Sequence, residues 1–238
     1  MSSPARRALL LHGITSNAEG WWRLTPDLVG LGYEVVAVDL LGHGGRPVVT
    51  DYTHAAYAQD VLTHGTGWDL VLGHSLGGAV ALVAQDLDPG FARMLVLLDP
   101  LLQNTDPENS LKQHLAGVDA KPDADELSAD LPRWHRRDCA AKARALRGVD
   151  RTTVVRTIMQ NASRDHRETV ARLTVPTLLV GAYADALVDR SLGSALAGAN
   201  PHVEFVVVAG SGHGIHRDSY EALWPLLAGF LRSGPKSG

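Results

Sequence analysis

This chain contains a single cysteine, Cys139, so no disulfide can form within it. None of its uninterrupted apolar runs approaches the roughly 18 residues of a membrane-spanning helix, and we expect no membrane insertion. The run Ala8-Leu9-Leu10-Leu11 near the start is too short for a secretory signal, which favours a cytoplasmic protein. A net charge of only −4 provides no basic surface, so we expect no nucleic-acid partner.

Apolar residues are plentiful, at 45% of the 238 residues, and they fall into short runs separated by longer amphipathic segments. This alternation predicts one α/β domain, in which a mostly parallel sheet of about six strands carries helices on both faces. The predicted strands cover residues 8–12, 34–39, 69–73, 94–99, 177–181 and 203–209. The predicted core helices cover residues 22–31, 55–64, 76–86, 190–199 and 219–231.

Residues 101–173 interrupt this alternation, because no strand pattern occurs in about seventy positions. A loop of that length without regular structure would be unusual in a compact domain. Charged helical stretches at 125–147 and 151–161 indicate a helical insertion instead. We therefore predict a helical cap at 101–173 on a core formed by residues 1–100 and 174–238. Ordinary surface helices are the alternative.

A candidate nucleophile, Ser75, lies in the sequence Gly73-His74-Ser75-Leu76-Gly77, which has the pattern G-x-S-x-G. The pattern alone is weak, but here it follows a predicted strand and precedes a helix of small residues, as a nucleophile turn requires. The two glycines avoid clashes in so tight a turn, and the helix N-terminus favours negative charge at the serine. We interpret Ser75 as a nucleophile rather than as an incidental serine of a glycine-rich turn.

A serine hydroxyl needs a base within hydrogen-bonding distance to become a good nucleophile. Of the 11 histidines, His213 is the best placed, since it follows the last predicted strand in a loop with glycine on either side. His216 is the competing candidate, but it lies nearer to the next helix. We predict His213 as the base.

The third member of such a site is a carboxylate that orients the histidine. Asp185 follows the fifth predicted strand and gives the chain order Ser…Asp…His, which makes it the predicted acid. Asp99 also ends a strand and is its rival. Asp189 is a third candidate, although it is better placed to cap the helix at 190–199.

A tetrahedral intermediate needs two backbone N–H groups that point at its oxygen. Leu76, directly after the nucleophile, is predicted to supply one of them. Ile14, in the loop after the first strand, is predicted to supply the other, and Gly13 allows the close approach. We interpret the neighbouring His12 as a hydrogen-bonded structural residue.

Together these residues resemble the α/β-hydrolase superfamily over roughly residues 6–232. The motifs that carry the resemblance are Leu11-His12-Gly13, Asp39-Leu40-Leu41-Gly42-His43-Gly44, Gly73-His74-Ser75-Leu76-Gly77-Gly78, Asp185 and Gly212-His213. The resemblance implies that Ser75, Asp185 and His213 occupy triad positions, that 101–173 is a cap or lid, and that no cofactor or metal is needed. There are two departures. Only about five residues are available before the first strand, where many members of the superfamily have a hairpin, so we expect a shortened sheet edge, and the acid-loop glycine, Gly181, stands one place early.

The motifs and the resemblance predict a serine hydrolase that cleaves a small-to-medium, mostly apolar carboxylic ester or lactone through an acyl-enzyme. The expected partner is a small acyl substrate, and the chain is expected to be a monomer or homodimer. One alternative is a carbon–carbon hydrolase or lyase similar to the menaquinone-pathway synthase, with Arg133, Arg136 or Arg137 binding an anionic substrate. A slow-turnover ligand receptor is the other. The candidate pocket residues are Trp21, Trp22, Leu101, Leu102, Trp134 and Met159.

Overall fold

Six strands form one sheet in a computed structural model of the chain, which describes residues 5–234. The strands are β1 (Arg6–Leu11), β2 (Tyr33–Val38), β3 (Leu70–His74), β4 (Leu95–Leu98), β5 (Thr177–Ala182) and β6 (Val203–Val208). Their order is β2-β1-β3-β4-β5-β6, and every neighbouring pair is parallel. The predicted parallel sheet is therefore confirmed, and the strand bounds lie within two residues of those expected.

Both faces of the sheet are covered, which explains why its central strands are almost entirely apolar. Every residue of β3 and β4 is buried. Along β1, Leu9 and Leu11 pack into one core cluster, whereas Ala8 and Leu10 pack into a second. Successive side chains of a strand point to opposite faces, so these two clusters lie on opposite sides of the sheet.

The described residues also form eleven α-helices. They are α1 (Leu24–Gly30), α2 (His54–Leu62), α3 (Leu76–Leu87), α4 (Pro107–Ala120), α5 (Ala124–Asp130), α6 (Arg136–Gly148), α7 (Arg151–Gln160), α8 (Arg167–Ala171), α9 (Arg190–Ala199), α10 (Ile215–Asp218) and α11 (Tyr220–Ser233). Side chains of α2, α3 and α9 join the cluster of Leu9, and those of α1 and α11 join the cluster of Leu10. Helices thus cover both faces, as predicted. None of the described helices is both long and apolar enough to cross a membrane.

Five of these helices, α4 to α8, fill the interval between β4 and β5. α4 packs against α7 and α5 against α6, and their apolar side chains form two small clusters, the first of which also includes Leu146 of α6. The last helix differs, because α8 packs against α3 and α9, and its Val170 belongs to the same core cluster as Leu9. Within the predicted insertion at 101–173, α4 to α7 therefore stand apart from the core, whereas α8 is part of it.

The two ends of the segment that carries α4 to α7 lie side by side. Gln103 and Asp165 form an antiparallel bridge, and the backbone N–H of His166 donates to the carbonyl of Leu102 at 2.8 Å. A hydrogen bond of 2.7 Å between His54 Nδ1 and His166 Nε2 fastens this junction to the start of α2. The helices α4 to α7 are thus held over the carboxyl ends of the strands.

The strand order reverses at β1, whose neighbours are β2 on one side and β3 on the other. In open α/β sheets, ligands bind outside the carboxyl ends of the strands at such a reversal. The loops that follow β1, β3 and β4 meet at this position. The order of the strands therefore places the predicted nucleophile, which directly follows β3, at the expected crevice.

Candidate active site

Ser75 occupies a strained turn between β3 and α3, with φ 53° and ψ −116°. A Cβ on Gly73 would lie 2.4 Å from the carbonyl oxygen of Gly77, and a Cβ on Gly77 would lie 2.2 Å from the carbonyl oxygen of Leu11. Only glycine fits at these two positions, which explains the spacing of the motif. A non-glycine residue at positive φ costs free energy, and such strain is concentrated at functional sites.

The turn is fixed by hydrogen bonds on both sides of Ser75. Its N–H donates to the carbonyl of Leu98 in β4 at 3.0 Å, and its own carbonyl accepts from Gly78 at 3.0 Å and from Ala79 at 3.2 Å. Leu76 is the first residue of α3, so its N–H has no partner within the helix. A backbone donor beside the nucleophile is what stabilisation of an oxyanion requires.

His213 is oriented by Asp99. The Nδ1 of His213 donates to Asp99 Oδ2 at 2.7 Å, which leaves Nε2 as the unprotonated nitrogen. Asp99 is completely buried, and its carboxylate also accepts from the backbone N–H groups of Leu187 at 3.0 Å and Val188 at 2.8 Å. Three hydrogen bonds compensate the cost of burying this carboxylate.

This pairing corrects the expectation that Asp185 orients the histidine. Asp185 is exposed at the mouth of the cavity described below, with φ 52°, and the carboxylate bound to His213 belongs to its rival. The physical reason is the strand order, because β4 lies next to β3 whereas β5 lies one strand further away. Asp189 caps α9 as expected, since its side chain accepts from the N–H of Leu192 at 2.8 Å.

The loop that carries His213 is held at its backbone. The carbonyl of His213 accepts from His74 Nε2 at 2.9 Å, and the N–H of Gly212 donates to Asp218 Oδ2 at 2.9 Å. The competing candidate His216 is buried with its ring centroid 4.7 Å from that of Trp21. Burial holds the pKa of His216 well below its ordinary value, so this residue is a neutral packing side chain.

The loop after β1 approaches the nucleophile closely. A Cβ on Gly13 would lie 2.9 Å from His74 Nδ1 and 3.2 Å from Ser75 Cβ, so a side chain there would collide with the nucleophile turn. His12 is structural, as expected: its Nδ1 donates to the carbonyl of Gly13 at 2.8 Å, and its Nε2 accepts from the N–H of Leu40 at 3.0 Å.

A cavity of about 330 Å³ connects these parts of the site. Ser75, Leu76, His213 and Ile14 all line it, so the structure brings the predicted nucleophile, base and oxyanion residues to one space. Its other apolar residues are Leu101, Ile158 and Leu187. Its polar residues are Gln103, Asn104, Thr105, Asp106, Asn109, Ser110, Gln113, His114, Thr157, Asn161 and Asp185.

The polar wall contributed by α4 was not predicted. Asn109, Ser110, Gln113 and His114 recur at the spacing of one helix face, and all four line the cavity. The polar composition of this stretch is visible in the sequence. Which face of the helix meets the cavity is decided by its packing against α7, which the sequence does not reveal.

Three predicted pocket residues are placed elsewhere by their own packing. Trp21 and Leu102 are each only 1% exposed and belong to the two clusters that cover the faces of the sheet. Met159 is 49% exposed, and its neighbours Thr157 and Ile158 line the cavity instead. One position corresponds to about 100° around a helix, which turns Met159 towards solvent.

The other two tryptophans predicted for the pocket, Trp22 and Trp134, make hydrogen bonds elsewhere and do not line the cavity. Trp22 donates from Nε1 to Asp138 Oδ1 at 2.8 Å, which joins the segment after β1 to α6. Trp134 donates from Nε1 to Asp218 Oδ1 at 2.6 Å, which joins the segment before α6 to α10, the helix that follows the loop of His213. Of the six residues predicted for the pocket, only Leu101 contributes to it.

Comparison with known proteins finds similar sequences and a similar fold. A sequence model described as the alpha/beta hydrolase family matches residues 8–225. The pimeloyl-[acyl-carrier protein] methyl ester esterase of Yersinia enterocolitica is 26% identical, over 94% of this chain and 92% of its own length. Lipase LipV of Mycobacterium tuberculosis is 40% identical over 42% of this chain, and the match spans only 38% of the lipase. A crystal structure of N-formylmaleamic acid deformylase from Pseudomonas putida has a TM-score of 0.80 at 24% identity, covering 94% of this chain and 92% of that one, which shows a shared fold.

Proposed function

The chain belongs to the alpha/beta hydrolase family, and from this premise we propose that it is a serine hydrolase of carboxylic esters. One observation supports the proposal most directly. Ser75, held in a strained turn, shares a cavity with His213, whose Nδ1 donates to the buried carboxylate of Asp99 at 2.7 Å. A nucleophile, a base and an orienting acid are the three groups that acyl transfer by serine requires.

In the proposed reaction, Ser75 Oγ attacks the carbonyl carbon of the ester while His213 Nε2 takes the hydroxyl proton. The tetrahedral intermediate collapses when the bond to the alcohol oxygen breaks, and His213 returns the proton to the leaving alcohol. Water then attacks the acyl-enzyme, with His213 again accepting the proton, and the acid is released. The carboxylate of Asp99 stabilises the imidazolium that forms in each half of the reaction.

The backbone N–H groups of Ile14 and Leu76 are the proposed donors to the oxyanion. Both residues line the cavity beside Ser75, and Leu76 begins α3, where the helix dipole favours negative charge. Loss of one such donor typically lowers kcat by about 10²–10³-fold. Because the donors belong to the backbone, substitutions of these two side chains leave the chemistry in place.

The cavity supports a small or medium ester with an apolar part near the nucleophile and a polar part beyond it. Ile14, Leu76 and Leu101 form the apolar part, and amide and hydroxyl side chains of α4 face it. This refines the mostly apolar substrate expected from the sequence. We propose that α4 to α7 act as the cap that sets this selectivity.

The arginines considered for an anionic substrate make other contacts, which favours ester hydrolysis over the carbon–carbon alternative. Neither Arg133, Arg136 nor Arg137 lines the cavity. Their partners are, in order, the carbonyl of Gly210, the carboxylate of Asp125 and the ring of Trp22. A cavity whose lining contains no arginine or lysine among the described residues is poorly matched to an anionic substrate.

Substitution of the nucleophile tests the proposal. We expect Ser75→Ala to lower kcat for p-nitrophenyl acetate by at least about 10³-fold, because the hydroxyl that forms the acyl-enzyme is removed. Ser194→Ala is the matched control, since Ser194 is exposed on α9 and does not line the cavity. Its kcat should stay within a few-fold of the parent. Circular dichroism of both variants verifies that they are folded.

An aryl phosphonate probe provides an independent measurement on the unmodified protein. Peptide mass analysis should locate the phosphonyl group on Ser75, and Ser75→Ala should remain unlabelled. Labelling of another residue, or ester turnover by Ser75→Ala near that of the parent, would show that Ser75 is not the nucleophile.

A further inference from the structure

A lysine of α6 reaches the loop that carries the proposed oxyanion donor. Lys142 Nζ donates to the carbonyl oxygen of Thr15 at 2.9 Å and to Thr15 Oγ1 at 2.8 Å. Thr15 directly follows Ile14 and has φ 54°, a left-handed conformation that is unfavourable for a β-branched residue. An interaction from outside the loop is therefore needed to hold Thr15 there, and Lys142 provides two hydrogen bonds.

The rest of the loop is fixed at neighbouring points. The N–H of Ser16 donates to the carbonyl of Gly13 at 3.2 Å, which closes a turn around Ile14. The N–H of Thr15 donates to His43 Nε2 at 3.3 Å, and Arg217 donates to Ser16 Oγ at 2.7 Å. Of these side chains, only Lys142 comes from the helices α4 to α7.

We propose that Lys142 is a positioning residue of the oxyanion hole, which holds Thr15 so that the Ile14 N–H points at the reacting oxygen. The proposal rests on the serine-hydrolase function given above. It also gives the helices over the site a second task, because a displacement of α6 would release the oxyanion loop. Lys142 thereby links α6 to the residue that directly follows the proposed oxyanion donor.

The hydrogen-bond partners of the Lys142 ammonium are neutral oxygens. Among the described residues it forms no ion pair with a carboxylate, and its ammonium binds only the carbonyl and the hydroxyl of Thr15. A cation behind a hydrogen-bond donor strengthens the field at a developing oxyanion. Burial, and then the nearby Arg217, lower the pKa of Lys142 to about 7.

The other titratable groups around Lys142 do not replace its charge. The histidines that feel its field are His12 and His43 beside the oxyanion loop, His74 in the nucleophile turn and His114 on α4. Burial lowers the pKa of each of them, to about 4 for His43 and His114, so all four are neutral near pH 7. Arg217 keeps its charge but binds Ser16.

A substitution that removes the ammonium and keeps the aliphatic chain tests the proposal. We expect Lys142→Met to lower kcat for p-nitrophenyl acetate at least about tenfold with KM changed less than threefold. The donor that the substitution misaligns stabilises the oxyanion of the transition state and contributes little to binding of the substrate. Lys142→Arg retains a cation and N–H donors, and should recover part of the rate. Lys112→Met is the matched control, because Lys112 is exposed on α4 and does not line the cavity.

The pH dependence supplies a readout that a merely structural role would not move. For the parent, kcat should decline several-fold above about pH 7, as Lys142 becomes neutral. The alkaline decline should be missing in Lys142→Met. Should this variant fail to fold, the parent profile decides, and a flat plateau from pH 7 to pH 9 overturns the proposal.

Labelling of Ser75 distinguishes a failure of the positioning role of Lys142 from a failure of the proposed serine-hydrolase function. When the phosphonate labels Ser75 in both proteins, kcat of Lys142→Met equal to that of Lys112→Met overturns the role of Lys142 alone. When Ser75 is not labelled in the parent, the serine-hydrolase function fails, and the positioning role fails with it.

Discussion

The position of a single residue, Asp99, shows how neighbouring strands assemble the site. It directly follows β4, and Ser75 directly follows β3, so both lie at the same edge of the sheet. Its carboxylate is buried and receives one N–H from His213 and two from the backbone of Leu187 and Val188. A carboxylate that is buried in this way can hold the imidazole of His213 in one tautomer, because water does not replace the histidine as its partner.

Substitution of the two aspartates distinguishes their roles. We expect Asp99→Asn to lower kcat/KM for p-nitrophenyl acetate by about 10³–10⁴-fold, because an amide favours the wrong tautomer of His213. Asp185→Asn should cost less than about tenfold, since Asp185 is exposed at the cavity mouth. Steady-state kinetics of both purified variants give the comparison. A larger loss in Asp185→Asn would restore it as the orienting acid.

The sequence predicts Ser75 and His213 because their signals are local. A strand, two glycines and a helix surround Ser75, and glycines flank His213, all within a few positions. The choice between Asp99 and Asp185 is not local, because it depends on which strand lies beside β3. The contact of Lys142 with Thr15 could not be predicted from the sequence for the same reason, since 127 positions separate the two residues.

At the scale of elements, the helices over the site are predictable in existence but not in orientation. The missing strand pattern at 101–173 correctly indicates helices, and α4 to α8 occupy this interval. The face that each helix turns to the cavity follows from packing between helices. Ile158 lines the cavity and Met159 does not, although the two are adjacent and both apolar.

The negative charge at the rim of the cavity leads to a prediction about which substrates are preferred. Asp106 at the start of α4 and Asp185 after β5 line the cavity, whose lining includes no lysine or arginine among residues 5–234. A substrate carboxylate near either aspartate is repelled by about 1 kcal/mol at 4 Å in water. We therefore expect 4-carboxyphenyl acetate to be hydrolysed several-fold less efficiently than 4-carbamoylphenyl acetate, measured as kcat/KM.

Ionic strength and one substitution serve as controls for this charge effect. The ratio of kcat/KM between the two esters should shrink in 1 M salt, where screening acts within about 3 Å. Asp106→Asn should also shrink it, whereas the carbamoyl ester itself should respond little to salt. A faster carboxylate ester would contradict the prediction and indicate a cationic group at the mouth.

At the scale of the whole molecule, the two-sided burial of the sheet follows directly from its apolar strands. Core leucines, valines and alanines recur at the positions that the sequence pattern assigns to strands and helices, and this part of the fold is therefore predictable. The burial of histidines is not, because a histidine carries no hydrophobic signal. Among the described residues, the buried histidines are His12, His43, His54, His74, His166 and His216.

These buried histidines make the stability of the whole molecule dependent on pH. Burial lowers the pKa of His43 to about 4 and that of His54 to about 3, and it holds those of His12, His74 and His216 well below their ordinary value. In the unfolded chain each titrates near pH 6.5. Below that pH the unfolded chain binds more protons than the folded protein, so the free energy of unfolding decreases as the pH falls. Each histidine contributes up to about 1.4 kcal/mol per pH unit.

We therefore expect the free energy of unfolding, measured by urea denaturation, to change little above pH 7 and to fall by several kcal/mol between pH 6.5 and pH 5. His54→Asn should reduce this slope, because one buried group no longer takes up a proton on unfolding. His64→Asn is the matched control, since His64 is exposed on the surface and should leave the slope unchanged. A free energy of unfolding that stays constant from pH 7.5 to pH 5 would mean that these histidines are protonated in the folded protein. The hydrogen bonds of His12 and His43, each of which accepts a backbone N–H on Nε2, could then not persist.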